Sequence, residues 1–229
     1  MFCKTDMSIS ENLTSFYSDL KNTNAKLVAV TKTKPIELIQ EAYDFGHRIF
    51  GENKVQELVD KQQVLPSDIE WHMIGHLQRN KVKYIAPFVS LIHGVDTFKL
   101  LKEIDKQGLK HDRVISCLLQ IHIAQEETKF GFDADQVQEL LSSEEFTSLK
   151  NIKVLGLMGM ATYTEDKDKV RDEFATLKKL FNSLHTNFPG LELTEISIGM
   201  SGDYKIALEE GSTLIRVGSA IFGARNKQL

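Results

Sequence analysis

Short runs of apolar residues recur along this chain, and the segments between them space their apolar residues three and four apart. The runs are Leu27–Val30, Arg48–Phe50, Trp71–Ile74, Leu91–Val95, Val114–Ile123, Val154–Met160, Leu193–Ile198 and Leu214–Val217. Runs this short, bounded by polar and glycine positions, read as strands. The segments Pro35–Phe45, Thr97–Gln107, Asp135–Leu141 and Asp166–Leu184 read as amphipathic helices. Ahead of the first run, Ser8 to Lys21 places Ile9, Leu13, Phe16, Tyr17 and Leu20 at helical spacing, with Ser8 as N-cap, which predicts an extra opening helix. Pro35 suits the first turn of its helix, where no amide hydrogen is needed. Gly46, Gly108 and Gly211 follow helical stretches and suit left-handed C-caps.

Strand–helix alternation of this kind implies parallel strands with both faces covered. Eight runs in 229 residues is the count of a closed (β/α)₈ TIM barrel. An open doubly wound sheet would usually announce a glycine-rich turn after its first strand. Here the first run leads into Thr31-Lys32-Thr33-Lys34-Pro35, with no glycine. The expectation is one barrel domain over residues 1–229, with no internal linker.

Composition narrows the partners. Lys+Arg 28 against Asp+Glu 32 leaves a net charge of −4, the wrong sign for binding nucleic acid or an anionic membrane by charge. No stretch reaches the roughly 18–20 apolar residues of a membrane span. Residues 1–25 lack the apolar centre of a secretory signal, so a cytoplasmic location is expected, with Met1 or Met7 as the start. Cys3 and Cys117 are too few for a disulfide framework, and Cys117 lies in an apolar run as a core thiol would.

In a barrel, chemistry gathers at the carboxyl ends of the strands. Lys32 stands there with the parity of Val28 and Val30, so if the valines point inward the amine does too. A buried lysine escapes its desolvation cost by losing its proton, and a neutral amine is a nucleophile for carbonyl compounds. A lysine snorkelling at a strand end is the alternative for Lys32 alone. Lys34, two residues further out, is the second candidate. Arg216 interrupts the last apolar run, and an inward guanidinium needs an acceptor because it keeps its proton. Gly218-Ser219 after that run and Ser201-Gly202 after the seventh supply a cup where barrels often hold phosphate. An ordinary glycine turn is the alternative reading of that cup. Aldehyde, phosphate and ring acceptor together describe pyridoxal 5′-phosphate.

The chain resembles the pyridoxal phosphate homeostasis proteins, relatives of the barrel domain of alanine racemases. The resemblance runs from about Leu27 to Asn226. It rests on Ala29-Val30-Thr31-Lys32-Thr33-Lys34-Pro35, Phe50-Gly51-Glu52-Asn53, Trp71 to Lys81, Gly199-Met200-Ser201-Gly202-Asp203 and Arg216 to Arg225. By that resemblance Lys32 is the Schiff-base lysine, and Ser201, Gly218 and Ser219 hold the phosphate. Arg216 faces the pyridine nitrogen, and Asn53 lies near the ring. Thr31 and Ser219 stand where many relatives carry serine and threonine, and both keep a hydroxyl.

An arginine opposite the ring nitrogen leaves that nitrogen unprotonated and the ring a poorer electron sink. By the resemblance, alanine racemases share that arginine arrangement, so it does not by itself abolish racemisation; they also use a second acid/base, a tyrosine from an added C-terminal domain supplied across a dimer. Here the chain ends at Leu229 shortly after the eighth run. The expectation is therefore a monomeric carrier that keeps the cofactor for vitamin B6 homeostasis, without substantial catalysis. Pyridoxal phosphate-dependent apoenzymes are its expected recipients; the resemblance makes Lys129 a candidate transient acceptor during release, while a solvated loop lysine is the reading favoured for it. The alternatives are an amino-acid racemase or lyase using the same cofactor, and a barrel enzyme acting on a phosphorylated metabolite. His72 and His76 are four apart, but on a strand that spacing is too wide for one metal, so a structural role is expected.

Overall fold

In a computed structural model, described for residues 7–124 and 130–223, the eight apolar runs become eight strands. They are β1 (Lys26–Val30), β2 (Ile49–Glu52), β3 (Glu70–Met73), β4 (Leu91–Val95), β5 (Ile115–Gln120), β6 (Ile152–Met158), β7 (Glu195–Ser197) and β8 (Leu214–Val217). Each pairs in parallel with the next, and β8 returns to β1 to close the barrel. The helices are α1 (Ile9–Leu20), α2 (Ile36–Asp44), α3 (Val55–Gln62), α4 (Val82–Ile85) and α5 (Phe98–Lys110). They continue with α6 (Ala134–Ser142), α7 (Glu144–Thr147), α8 (Lys167–Asn187), α9 (Tyr204–Glu209) and α10 (Ser219–Phe222).

Alternation sorts side chains into two cores. Val28, Leu91, Leu118, Met158 and Leu214 pack together inside the ring, while Leu27, Ala29, Cys117, Leu119, Ile215 and Val217 join the larger shell between strands and helices. The period of two therefore turns Arg216 inward with Leu214. Inward positions are scarce, so a polar residue there must be paired.

The opening helix forms as expected. Ser8 and Glu11 make a reciprocal capping box, with Ser8 N donating to Glu11 Oε2 at 2.7 Å and Glu11 N to Ser8 Oγ at 3.2 Å. On α1, Phe16 meets the Tyr204 ring edge-on at 5.1 Å, Asp19 accepts from Tyr204 Oη at 2.7 Å, and Asn12 Nδ2 donates to Ile221 O at 3.0 Å. α1 thus ties α9 and α10 to the barrel wall.

Three expectations need correction. β1 stops at Val30 rather than at Lys32, because the chain turns immediately afterwards. Pro35 is the N-cap of α2, one position before the first turn. Gly108 lies inside α5, where a Cβ would come within 2.6 Å of Asn151 O. Its role is close packing, whereas Gly46 and Gly211 follow their helices at φ +110° and +83° as expected. Cys3 and Lys129 lie outside the described residues. Among the described residues, no helix is long and apolar enough to cross a membrane.

Candidate functional site

The carboxyl ends of β1, β2, β7 and β8 carry the residues singled out above. β1 and β8 pair with Val28 opposite Arg216 and Ala29 opposite Val217, which brings Gly218 level with Val30. A Cβ on Gly218 would lie 2.9 Å from the Val30 carbonyl oxygen, so only glycine lets the two strand ends approach this closely. Lys32 stands two residues beyond Val30, half-buried. Ser219 Oγ lies 3.4 Å from Ser201 Oγ, so the hydroxyls following β7 and β8 converge. Asn53, half-buried, follows β2. A Cβ on Gly75 would come within 2.5 Å of Asn53 O, so the exit of β3 packs against that backbone.

Lys32 sits on a turn. Lys34 N donates to Thr31 O at 2.9 Å, and Thr33 adopts φ +63° as the third residue. Strand parity therefore ends before Lys32, and the turn sets where its side chain departs. Lys34, the second candidate amine, donates through Nζ to Phe222 O at 3.0 Å and Gly223 O at 2.9 Å, tying the turn to the end of α10.

Arg216 occupies the barrel interior, 5% exposed. Nη1 donates to Ser197 O at 2.7 Å and Ser197 Oγ at 2.5 Å, and Nη2 donates to Gly159 O at 3.0 Å. Ser197 Oγ is also 2.8 Å from His93 Nδ1, and His93 Nε2 is 3.0 Å from His72 Nδ1. Guanidinium only donates, so the serine hydroxyl is left to donate to His93 Nδ1. His93 then carries its proton on Nε2 and passes a hydrogen bond to His72. Burial pulls His72 down to about 3, and Lys26 and His47 add to it. Burial also drives His93 well below its ordinary value, helped by the nearby His72 and Arg216. The guanidinium itself is lowered to about 10 by burial, against the pull of Asp203, and stays charged at neutral pH.

The donor set tests the cofactor inferred from sequence. Arg216 spends both Nη1 hydrogens and one on Nη2; Nε–H and the other Nη2 hydrogen meet no acceptor among the described residues. A neutral aromatic ring nitrogen is an acceptor suited to such a donor, and the Ser201 and Ser219 hydroxyls suit phosphate oxygens. These residues fit pyridoxal phosphate. Among the described residues no group of three or more His, Cys, Asp or Glu is arranged to hold a metal. His72 turns into the barrel, while His76 Nδ1 lies 3.0 Å from Asp96 Oδ2 and its ring stacks on Phe130. Cys117 is fully buried, and burial pushes its thiol up to about 12, so it is inert.

Sequence reasoning missed the polar groups behind the site. Glu52, wholly buried, accepts from Lys61 Nζ at 2.6 Å and from Thr31 Oγ1 at 2.5 Å. Glu57 accepts from the same Nζ at 2.7 Å. Burial raises the Glu52 carboxyl against the lowering influence of Lys61, and its Oε2 is buried with no partner among the described residues. A glutamate just beyond the second apolar run, at the end of its strand, was the available signal. Ser197 and His93 were legible only as inward parities on β7 and β4.

The family described as alanine racemase, N-terminal domain, matches residues 7–226 of this chain. A pyridoxal phosphate homeostasis protein of Aquifex aeolicus is 42% identical over 203 residues, covering 88% of this chain and 87% of its own. The chain belongs to the pyridoxal phosphate homeostasis protein family. A second homeostasis protein, from Vibrio alginolyticus, is 38% identical over 208 residues, covering 89% of this chain and 88% of its own. PipY of Synechococcus elongatus, solved with pyridoxal phosphate bound, superposes on this homeostasis-family barrel with a TM-score of 0.86 at 35% identity, covering 94% of this chain and all of PipY. An alanine racemase of Clostridium difficile shares the fold alone, with a TM-score of 0.76 at 13% identity; the homeostasis-family chain spans 58% of its length.

Proposed function

We propose that this protein holds pyridoxal 5′-phosphate as a Schiff base on Lys32 and keeps it for intracellular vitamin B6 supply, handing it on to pyridoxal phosphate-dependent apoenzymes. The observation that carries the reading is the β1–β8 register, which gathers the Lys32 turn, Gly218-Ser219 and the inward Arg216 at one mouth. Lys32 would hold the cofactor by condensing its amine, once unprotonated, with the aldehyde, the carbonyl oxygen leaving as water. Ser201, Gly218 and Ser219 would hold the phosphate, Asn53 would lie beside the ring, and the uncommitted donors of Arg216 would serve the ring nitrogen.

A guanidinium partner would keep that nitrogen unprotonated, which makes the ring a poorer electron sink without by itself abolishing turnover. The names of the homeostasis relatives support storage over turnover. Reduction of the cofactor-loaded protein with borohydride tests the reading. Peptide mass spectrometry should find a phosphopyridoxyl group on Lys32, and label confined elsewhere overturns it. Incubation of the loaded protein with L-amino acids should give no enzyme-level racemisation or cleavage; turnover lost in Lys32→Ala would select the enzyme reading instead.

A further inference from the structure

Both neighbours of Lys32 are held by one buried ion cluster. Thr31, wholly buried, donates through Oγ1 to Glu52 Oε1 at 2.5 Å, and its carbonyl accepts from Lys61 Nζ at 2.8 Å. On the other side, Thr33 N donates to Glu57 Oε1 at 2.5 Å. Lys61 closes the circuit, 2.6 Å from Glu52 Oε1 and 2.7 Å from Glu57 Oε1. Its three hydrogens serve three acceptors, two carboxylates and one main-chain carbonyl, so no donor is left over for a ligand.

A simple tie between α3 and the sheet would need only the Glu57–Lys61 pair, which stands at i,i+4 on the helix. Here the cluster also grips main-chain atoms immediately before and after one lysine. The backbone it grips is unusual as well, because Thr33 is β-branched and adopts φ +63°. Such a conformation persists only where its surroundings over-determine it.

We propose that Lys61, Glu52 and Glu57 are positioning residues: they fix the Thr31–Lys34 turn so that the Lys32 amine meets an aldehyde already oriented. The proposal rests on the reading of Lys32 as the capturing amine. Ordering the turn beforehand removes that cost from the capture step, in loading and in release alike.

Glu57 is the residue to change, because its side chain is 23% exposed and its loss leaves the Lys61–Glu52 pair in place. In the full-length protein without cofactor, Glu57→Ala should speed hydrogen exchange of the Thr33 amide by at least about tenfold, since that amide loses its acceptor. Capture of pyridoxal phosphate, followed by the growth of its visible band, should slow about tenfold. Glu57→Gln keeps an acceptor oxygen and should restore both readouts to within about twofold. Glu57→Asp keeps the charge but shortens the reach; should the alanine variant fail to fold, it should move both readouts in the same direction. Unchanged exchange at Thr33 overturns the proposal, because the turn is then not held by this cluster. Faster exchange with an unchanged capture rate overturns it as well, because holding the turn then serves no capture. Borohydride label away from Lys32 in the unaltered protein removes the amine being served, and does so whatever the exchange result.

Discussion

Inside the ring of strands, one guanidinium is buried among neutral partners: Ser197, His93 and His72 in a chain, with Gly159 O at the other fork. Outside the ring, beneath α3, one ammonium is buried between two carboxylates. In the inner cluster burial keeps both histidines neutral, and Asp203 is the carboxylate that favours the guanidinium's charge. The outer cluster pairs its charges, and burial raises the one carboxyl that is wholly enclosed. Each serves a different end of the same ligand in the function proposed above, the inner one the ring and the outer one the amine. A group aimed at a neutral ring is held here by neutral hydrogen-bond partners, whereas a turn can be gripped by ions that never meet the ligand.

The sharpest way to break this contrast is to remove the outer cation. Lys61→Met strands Glu52 at 0% exposure and should cost about 3–5 kcal/mol in urea denaturation, with Glu52→Gln added to the same chain recovering more than half of it. A single variant within 1 kcal/mol of the parent would show that the pair is not needed to compensate buried charge. Next, Ser197→Ala takes from Arg216 its shortest partner and from His93 its donor, and should cost about 1–3 kcal/mol. It should also shift the absorption maximum of bound pyridoxal phosphate, because the guanidinium is no longer aimed; an unshifted band would separate Arg216 from the ring.

The clusters should also part company in acid. His72 has its folded pKa depressed to about 3, so the unfolded chain takes up protons first as the pH falls below about 6.5. Its contribution to stability is present above that pH and is lost on the way down. Glu52 has its folded pKa raised, so its contribution is present below its unfolded value and is lost as the pH rises through the folded one. Acid therefore weakens the inner cluster and relieves the outer one. His72→Gln should flatten the fall in unfolding free energy between pH 6.5 and 4 by up to about 1.4 kcal/mol per pH unit. An unchanged slope would place the acid sensitivity elsewhere, with His47, lowered to about 4 by burial, as the next histidine to replace. The smallest effect belongs to Glu57→Gln, whose retained oxygen should hold the melting temperature within about 2 °C of the parent; a larger drop would mean that its charge, rather than its reach, matters.

The barrel was legible because parallel strands covered on both faces read as unbroken apolar runs, and each of the eight became a strand. Lys32, Arg216 and the Gly218-Ser219 pair stood out because each interrupts or directly follows such a run. Their supports did not. Ser197 looked like part of the run Leu193–Ile198, and only closure of the ring brings it to His93, 104 positions away in sequence. Lys61 and Glu57 have the spacing of a solvated helical pair, and nothing local shows that the lysine is 5% exposed. Gly108 misled for a related reason: the backbone it admits, at Asn151, belongs to a distant segment. Periodicity reports which face of an element is covered, and long-range pairing decides what covers it.

The opening helix stands outside the strand–helix repeat, yet it anchors Tyr204 on α9 and Ile221 on α10, the two short helices that follow the seventh and eighth strands. It behaves as a keel. Shortening it should leave the ring of strands shut while letting the rim at Ser201 and Ser219 drift apart, so in the function proposed above the grip on phosphate should loosen before the protein melts.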